Sequence, residues 1–149
     1  MDEDLIVIKI YNYTTRSLRS IMSIISYIIL IGFIMYLSIY NYILIFIFSV
    51  ITIISFYIKN IIKKERPIDK FDIERKNIID NFSFPSIHTI LSIFIFFITI
   101  NPIILIVPIL RVLSLRHYIV DVLYSSFIGI SIYLLYYILY YQHFIIFRW

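Results

Sequence analysis

Five apolar runs, interrupted by a single long polar stretch, leave this chain few ways to fold. They cover 21–40, 42–58, 87–100, 103–115 and 119–141, and none alternates polar with apolar residues as a barrel strand does. A hydrocarbon core of roughly 30 Å takes about 20 apolar residues in a helix, with about 17 as the lower limit. The first, second and fifth runs therefore predict transmembrane helices, with Asn41 as a tight turn between the first two. The third and fourth are short and flank Asn101-Pro102. They predict either segments extended at the membrane surface or a hairpin packed into a bundle. The predicted fold class is all-α: a polytopic transmembrane helical bundle of about five spans. It forms one membrane-embedded domain over 1–149, with a polar loop at 59–84.

Composition points the same way. The chain is 62% hydrophobic and 15% charged, which excludes a disordered tail, a collagen-like repeat and an ordinary water-soluble domain. Forty-one residues are isoleucine and none is alanine, a bias expected of AT-rich coding. Isoleucine everywhere makes propensity a poor guide, so run length decides between helix and strand. The absence of cysteine excludes a disulfide framework, a thiolate metal site and a cysteine nucleophile. The net charge of +4 is not spread over a soluble face, so nucleic acid is not an expected partner. Residues 1–20 mix charge with apolar side chains and predict an amphipathic or strand-like lead-in. They contain no small-residue cleavage pattern.

Five spans place the N-terminus, the 59–84 loop and the 111–118 turn on one side of the membrane. That side carries every lysine and arginine except Arg148, which with Trp149 predicts an interfacial anchor. The positive-inside rule assigns it to the cytoplasm.

Beyond residue 80 the only charged residues are Arg111, Arg116, Asp121 and Arg148. Ionisable groups at membrane depth cost several kcal/mol unless paired or wet, so they mark function by default. Snorkelling to the interface accounts for Arg116 but not for Asp121, whose carboxylate is too short. His117 and Asp121 are four apart, the spacing that lets two side chains share a helix face and hydrogen-bond. A carboxylate on one ring nitrogen orients an imidazole as nucleophile or base.

Three segments combine around this pair. Lys59 is followed by six residues and then Arg66-Pro67; Pro85-Ser86-Ile87-His88 opens the third run; and Arg111 is followed by five residues, His117, three more, and Asp121. This arrangement resembles the type 2 phosphatidic acid phosphatase superfamily, the membrane lipid-phosphate phosphatases related to vanadium haloperoxidases. The family pattern is K-x6-R-P, then P-S-G-H, then S-R-x5-H-x3-D. The resemblance extends from Lys59 to Asp121. Two positions depart from it: Ile87 replaces the glycine and Leu110 the serine. Isoleucine keeps its backbone N–H but adds bulk beside the phosphate, and leucine removes one hydroxyl contact. The family commonly has six transmembrane helices against the five expected here, the missing one falling ahead of the Lys59 motif.

The resemblance implies a metal-independent phosphatase without a cofactor, and the residue types suit that chemistry. Negative charge disperses over the equatorial oxygens as a phosphoryl group transfers, and three fixed cations, Lys59, Arg66 and Arg111, match it. His117 is the expected nucleophile, splitting hydrolysis into two steps through a phosphohistidine. Asp121 is expected to hold His117 in the attacking tautomer, and His88 to protonate the leaving alcohol and then deprotonate water. Ser86 and the backbone of Ile87, at a helix N-terminus, complete the phosphate contacts. Substrates implied by the family are phosphatidate, lysophosphatidate, phosphatidylglycerophosphate, sphingoid phosphates and polyprenyl diphosphates, with phosphatidate the default and the bilayer as the route of entry.

Each residue also has a plainer role. Lys59 alone is a snorkelling anchor, Arg66-Pro67 a loop dipeptide, Ser86 an N-cap, and His88 a buried hydrogen-bonded histidine. Two of only three histidines fall on motif positions, and His143 is expected to be structural. Lys63, Lys64, Lys70, Arg75 and Lys76, interleaved with Glu65, Asp69, Asp72, Glu74 and Asp80, predict a solvated face that attracts anionic headgroups. Ser125 and Gly129 give a small-residue face for helix packing. Tyr133, Tyr136, Tyr137, Tyr140 and Tyr141 are expected to face lipid. Two other functions fit the sequence. One is a weak or inactive lipid-phosphate binder, motivated by Ile87 and Leu110. The other is a small proton-coupled transporter subunit using His117–Asp121 as a relay, with no need for Lys59, Arg66 or His88.

Overall fold

The structure is a computed structural model that describes residues 3–70 and 82–146, with side chains described up to residue 140 and not at Lys70. The solvated-face residues Asp72, Glu74, Arg75, Lys76 and Asp80, and the anchor Arg148-Trp149, lie outside the described residues. So do the side chains of Lys70, Tyr141 and His143. The described elements are helical: α1 Glu3–Tyr13, α2 Arg16–Tyr40, α3 Tyr42–Ile62, α4 Ile87–Thr99, α5 Ile106–Leu113 and α6 Ile119–Ile146. Short 3-10 turns occupy Pro67–Lys70 and Pro102–Leu105. The lead-in, expected to be amphipathic or strand-like, is the helix α1.

Three helices are long and apolar enough to cross a membrane: Arg16–Tyr40, Tyr42–Ile62 and Ile119–Tyr140. The expected five spans therefore become three long helices and a shorter pair. Helix α4 has 13 residues, a length of about 20 Å at 1.5 Å per residue, well short of the hydrocarbon core. Asn101 turns the chain between the pair, its Oδ1 accepting from the Ile103 N–H at 3.0 Å. Of the two expectations for these short runs, the hairpin packed in the bundle is the one observed.

Two boundaries differ from the apolar runs for the same reason. Helix α2 begins at Arg16 rather than at residue 21, with Thr15 as its N-cap accepting from the Leu18 N–H. Arg19 does not interrupt it, because its guanidinium folds back onto the carbonyls of Tyr11 and Thr14 and over the Tyr11 ring. Helix α3 continues past residue 58 to Ile62, since Lys59 in its last turn is buried inward rather than anchored at an interface.

Helix α4 is the axis of the bundle. Its buried residues Ile90, Leu91, Phe94 and Ile95 pack with Leu30 and Leu37 of α2, Leu44, Phe48 and Ile51 of α3, and Ile104 and Val107 before and within α5. Tyr133 and Tyr136 also turn inward onto Phe94, at 6.5 and 5.7 Å between ring centroids, instead of facing lipid as expected. Tyr137 and Tyr140 are exposed.

Lipid is as apolar as leucine, so helix association in a membrane depends on close approach and polar contacts. Here Ser125 and Gly129 serve α4, as their spacing suggests. The Ser86 N–H donates to Ser125 Oγ at 2.8 Å. A Cβ added at Gly129 meets the Ile90 carbonyl oxygen at 2.8 Å and Ile93 Cβ at 3.0 Å. Both obstacles belong to helix α4 itself and cannot swing aside. Gly129→Ala is therefore expected to cost about 1–3 kcal/mol, the usual range for overpacking, read as a lower thermal midpoint in detergent. An unchanged midpoint contradicts this packing.

Candidate active site

The sequence motifs meet at one end of the bundle. Helices α2 and α3 bring Ser23, Tyr27 and Lys59 there, and α4 starts there with Ser86 and His88. Helix α5 returns with Arg111, and the turn into α6 carries His117. Contacts between loops close this end. The Ile68 N–H donates to the Leu115 carbonyl at 3.1 Å, and the Ser83 N–H to the Lys64 carbonyl at 2.7 Å. Val7 of α1 packs with Ile68, Leu115 and Tyr118 over the same turn.

Lys59, Arg66, Ser86, Arg111, His117 and Asp121 are all buried, a concentration of polar and charged groups with no counterpart elsewhere among the described residues. His88 is half-buried, its ring edge-on to Tyr27 at 4.4 Å between centroids. The Arg111 guanidinium lies over the same Tyr27 ring at 5.2 Å, within cation–π range. Its Nη1 donates to Ser23 Oγ at 3.2 Å. Arg66 is held by donation from Nε to the Phe82 carbonyl at 3.3 Å.

His117 is 1% exposed, and its Nδ1 lies 2.5 Å from the Ser83 carbonyl oxygen. A carbonyl only accepts, so Nδ1 carries the proton and the lone pair of the neutral ring sits on Nε2. Burial holds this imidazole well below its ordinary value of 6.5, and the charges of Arg111, Arg66, Lys59 and His88 push in the same direction. The ring is therefore neutral at pH 7.

The sign of the linkage follows. Below pH 6.5 the unfolded chain protonates His117 while the folded chain does not, so this residue withdraws stability as pH falls from about 6.5 toward its folded value. The slope approaches about 1.4 kcal/mol per pH unit. Between pH 7 and pH 5, wild type is expected to lose more thermal stability in detergent than His117→Gln. Equal losses contradict a buried neutral ring.

Asp121 departs from its expected role. Its Oδ2 accepts from the Tyr118 N–H at 3.1 Å, and its Oδ1 pairs with Lys64 Nζ at 2.5 Å. It is the third residue of α6, so the first contact is the backward half of a capping box. His117 is oriented by the Ser83 carbonyl instead, and the His117–Asp121 pair that a proton relay requires is not formed. Lys64, expected on a solvated face, is drawn into the site. Ser86 stands at the N-cap position of α4 but makes no capping bond; its Oγ accepts from Thr89 Oγ1 at 2.9 Å. The Ser86 hydroxyl is thus turned to Thr89 Oγ1 rather than to a capping bond at the N-terminus of α4, a place where anions are favoured.

The site also uses residues that the sequence did not mark. Ser23 and Tyr27, one turn apart, place a hydroxyl and a ring of α2 against Arg111. Ser83 contributes a backbone carbonyl. Glu3 of α1 accepts from the Val120 N–H at 3.1 Å, supplying a carboxylate to the N-terminus of α6. Only the four-residue spacing of Ser23 and Tyr27 within an apolar run could have signalled any of these.

A scan against protein-family models, a search of curated proteins and a search of solved structures each found no match.

Proposed function

We propose that this chain is an integral-membrane lipid-phosphate phosphatase similar to the type 2 phosphatidic acid phosphatases. One observation carries the reading. The buried cations Lys59, Arg66 and Arg111 all act electrostatically on one buried, neutral histidine whose Nε2 holds the lone pair. Such a concentration of positive charge suits a dianionic phosphoryl centre better than any neutral ligand, because it matches the negative charge spread over the phosphate oxygens.

In this account a phosphomonoester or diphosphate enters between the three cations and the first turn of α4. Nε2 of His117 attacks the terminal phosphorus, the P–O bond to the leaving oxygen breaks, and His88 protonates that oxygen, which belongs to the lipid alcohol of a monoester or to the lipid monophosphate released from a diphosphate. Water, deprotonated by His88, then cleaves the P–N bond and releases inorganic phosphate. The Ser83 carbonyl keeps the positive charge that develops on the ring in place.

The lipid side of the reading has its own support. A groove of about 510 Å³ is lined by Ile28, Ile29, Gly32, Phe33, Tyr36 and Thr99, among others. It runs along the part of α2 that follows Tyr27 and reaches Thr99, Asn101 and Ile103, at the end of α4 opposite Ser86 and His88. An acyl or isoprenyl chain fits that course, with phosphatidate the default substrate. We place the three long helices across the bilayer, complete the bundle with α4 and α5, and assign the site to the cytoplasmic surface. A second reading, a binder with little turnover, is favoured by the engagement of Asp121 with Lys64 rather than His117. Vesicle binding without phosphate release distinguishes it.

A further inference from the structure

Lys64 stands outside the residues that suggested a phosphatase, yet both of its ends lead to His117. Its carbonyl accepts from the Ser83 N–H at 2.7 Å, and the Ser83 carbonyl in turn holds His117 Nδ1 at 2.5 Å. Its ammonium pairs with Asp121 Oδ1 at 2.5 Å, while Asp121 Oδ2 holds the N–H of Tyr118, the residue next to His117. The ammonium also lies 4.7 Å from the Tyr118 ring centroid. These contacts close a ring around the nucleophile: His117, Ser83, Lys64, Asp121 and Tyr118.

Local structure explains why this residue occupies the position. Lys63 ends α3 in the left-handed region, at φ 49°, and turns the chain so that Lys64 runs back across the site. Glu65 then forms an isolated antiparallel bridge with Phe82, the residue before Ser83. An exposed ion pair contributes little, and the Lys64 side chain is 37% exposed. The Asp121 side chain is fully buried, however, and a buried carboxylate left unpaired is costly. The pair is thus bound into the position of the 117–118 turn.

We propose that Lys64 is a positioning residue for His117. It ties Asp121 to the Ser83 carbonyl, so that the carboxylate acts on the nucleophile through the lysine and the backbone rather than by touching the imidazole. This rests on the phosphatase reading of the same site.

The test compares Lys64→Met, Lys64→Arg, Asp121→Asn and the Lys64→Met/Asp121→Asn double variant in detergent. Misplacing a reacting group by about 1 Å costs on the order of 100-fold. Lys64→Met is expected to lower kcat by about 10- to 100-fold on that basis, with KM within about twofold of wild type. Lys64→Arg should recover most of the loss, and the double variant should be no slower than the slower single one. In parallel, ¹⁵N imidazole spectra, with the His117 signal identified by its loss in His117→Ala, should show Nδ1 protonated in wild type and a mixture of tautomers in Lys64→Met. Wild-type kcat in Lys64→Met, multiplicative losses in the double variant, or an unchanged tautomer overturns the proposal. If Lys64→Met does not fold, Lys64→Arg against Asp121→Asn still decides it. An absence of hydrolysis by wild type defeats the phosphatase reading alone, because the tautomer measurement needs no turnover.

Discussion

Arg111→Lys is expected to lower kcat/KM for lipid-phosphate hydrolysis by about 100- to 1,000-fold, the usual loss on removing one fixed donor from a developing oxyanion. Charge is conserved in this substitution, so the size of the effect comes from geometry. Arg111 is 1% exposed, donates to Ser23 Oγ and lies over the Tyr27 ring. Those contacts orient a planar fork, a shape that binds phosphate oxygens in pairs. A lysine ammonium is a point charge on a flexible stem and cannot keep the serine, the ring and the phosphate together. A variant with activity within threefold of wild type shows that Arg111 is a packing residue. Ser23→Ala, which removes only the orienting hydroxyl, is expected to show a smaller loss in the same assay.

His117→Ala carries the largest expected effect, a loss of at least about 1,000-fold in kcat, because His117 is the buried imidazole of the described residues, neutral and with its lone pair on Nε2. The same substitution should remove the covalent intermediate. Wild type mixed with ³²P-labelled substrate and quenched in base should retain label that acid releases, as expected of a phosphorus–nitrogen bond. Label that survives in His117→Ala places the nucleophile elsewhere.

The apolar runs were legible because a helix in lipid needs a nearly continuous apolar length, and this chain supplies it at α2, α3 and α6. Their ends were misjudged where a charge points inward. Lys59 and Arg19 looked like the limits of the apolar runs, but both are buried in helices. The cluster of the candidate site was legible where spacing carries it: Lys59, Arg66, Ser86, Arg111, His117 and Asp121 are six motif residues buried at one end. His88 joins them through Tyr27.

What spacing could not give is which atoms meet. A four-residue interval suggested a His117–Asp121 bond, but it presumed one helix. His117 lies in the turn before α6, and Asp121 in its first turn. The group that does hold His117 is the carbonyl of Ser83, and a backbone carbonyl leaves no trace in residue identity. Lys64 was obscured differently, since one lysine among many charges reads as solvated until its partner is seen.

The most direct measurement is inorganic phosphate release from short-chain phosphatidate and from a polyprenyl diphosphate, in detergent with EDTA, by wild type and by His117→Ala. Among the described residues no group of three or more histidine, aspartate or glutamate side chains is placed to hold a metal, and the proposed mechanism routes no step through one. The account predicts EDTA-resistant release by wild type that the substitution abolishes, with the ratio of the two substrates naming the preferred class. Folded wild-type protein that releases phosphate from neither substrate contradicts it.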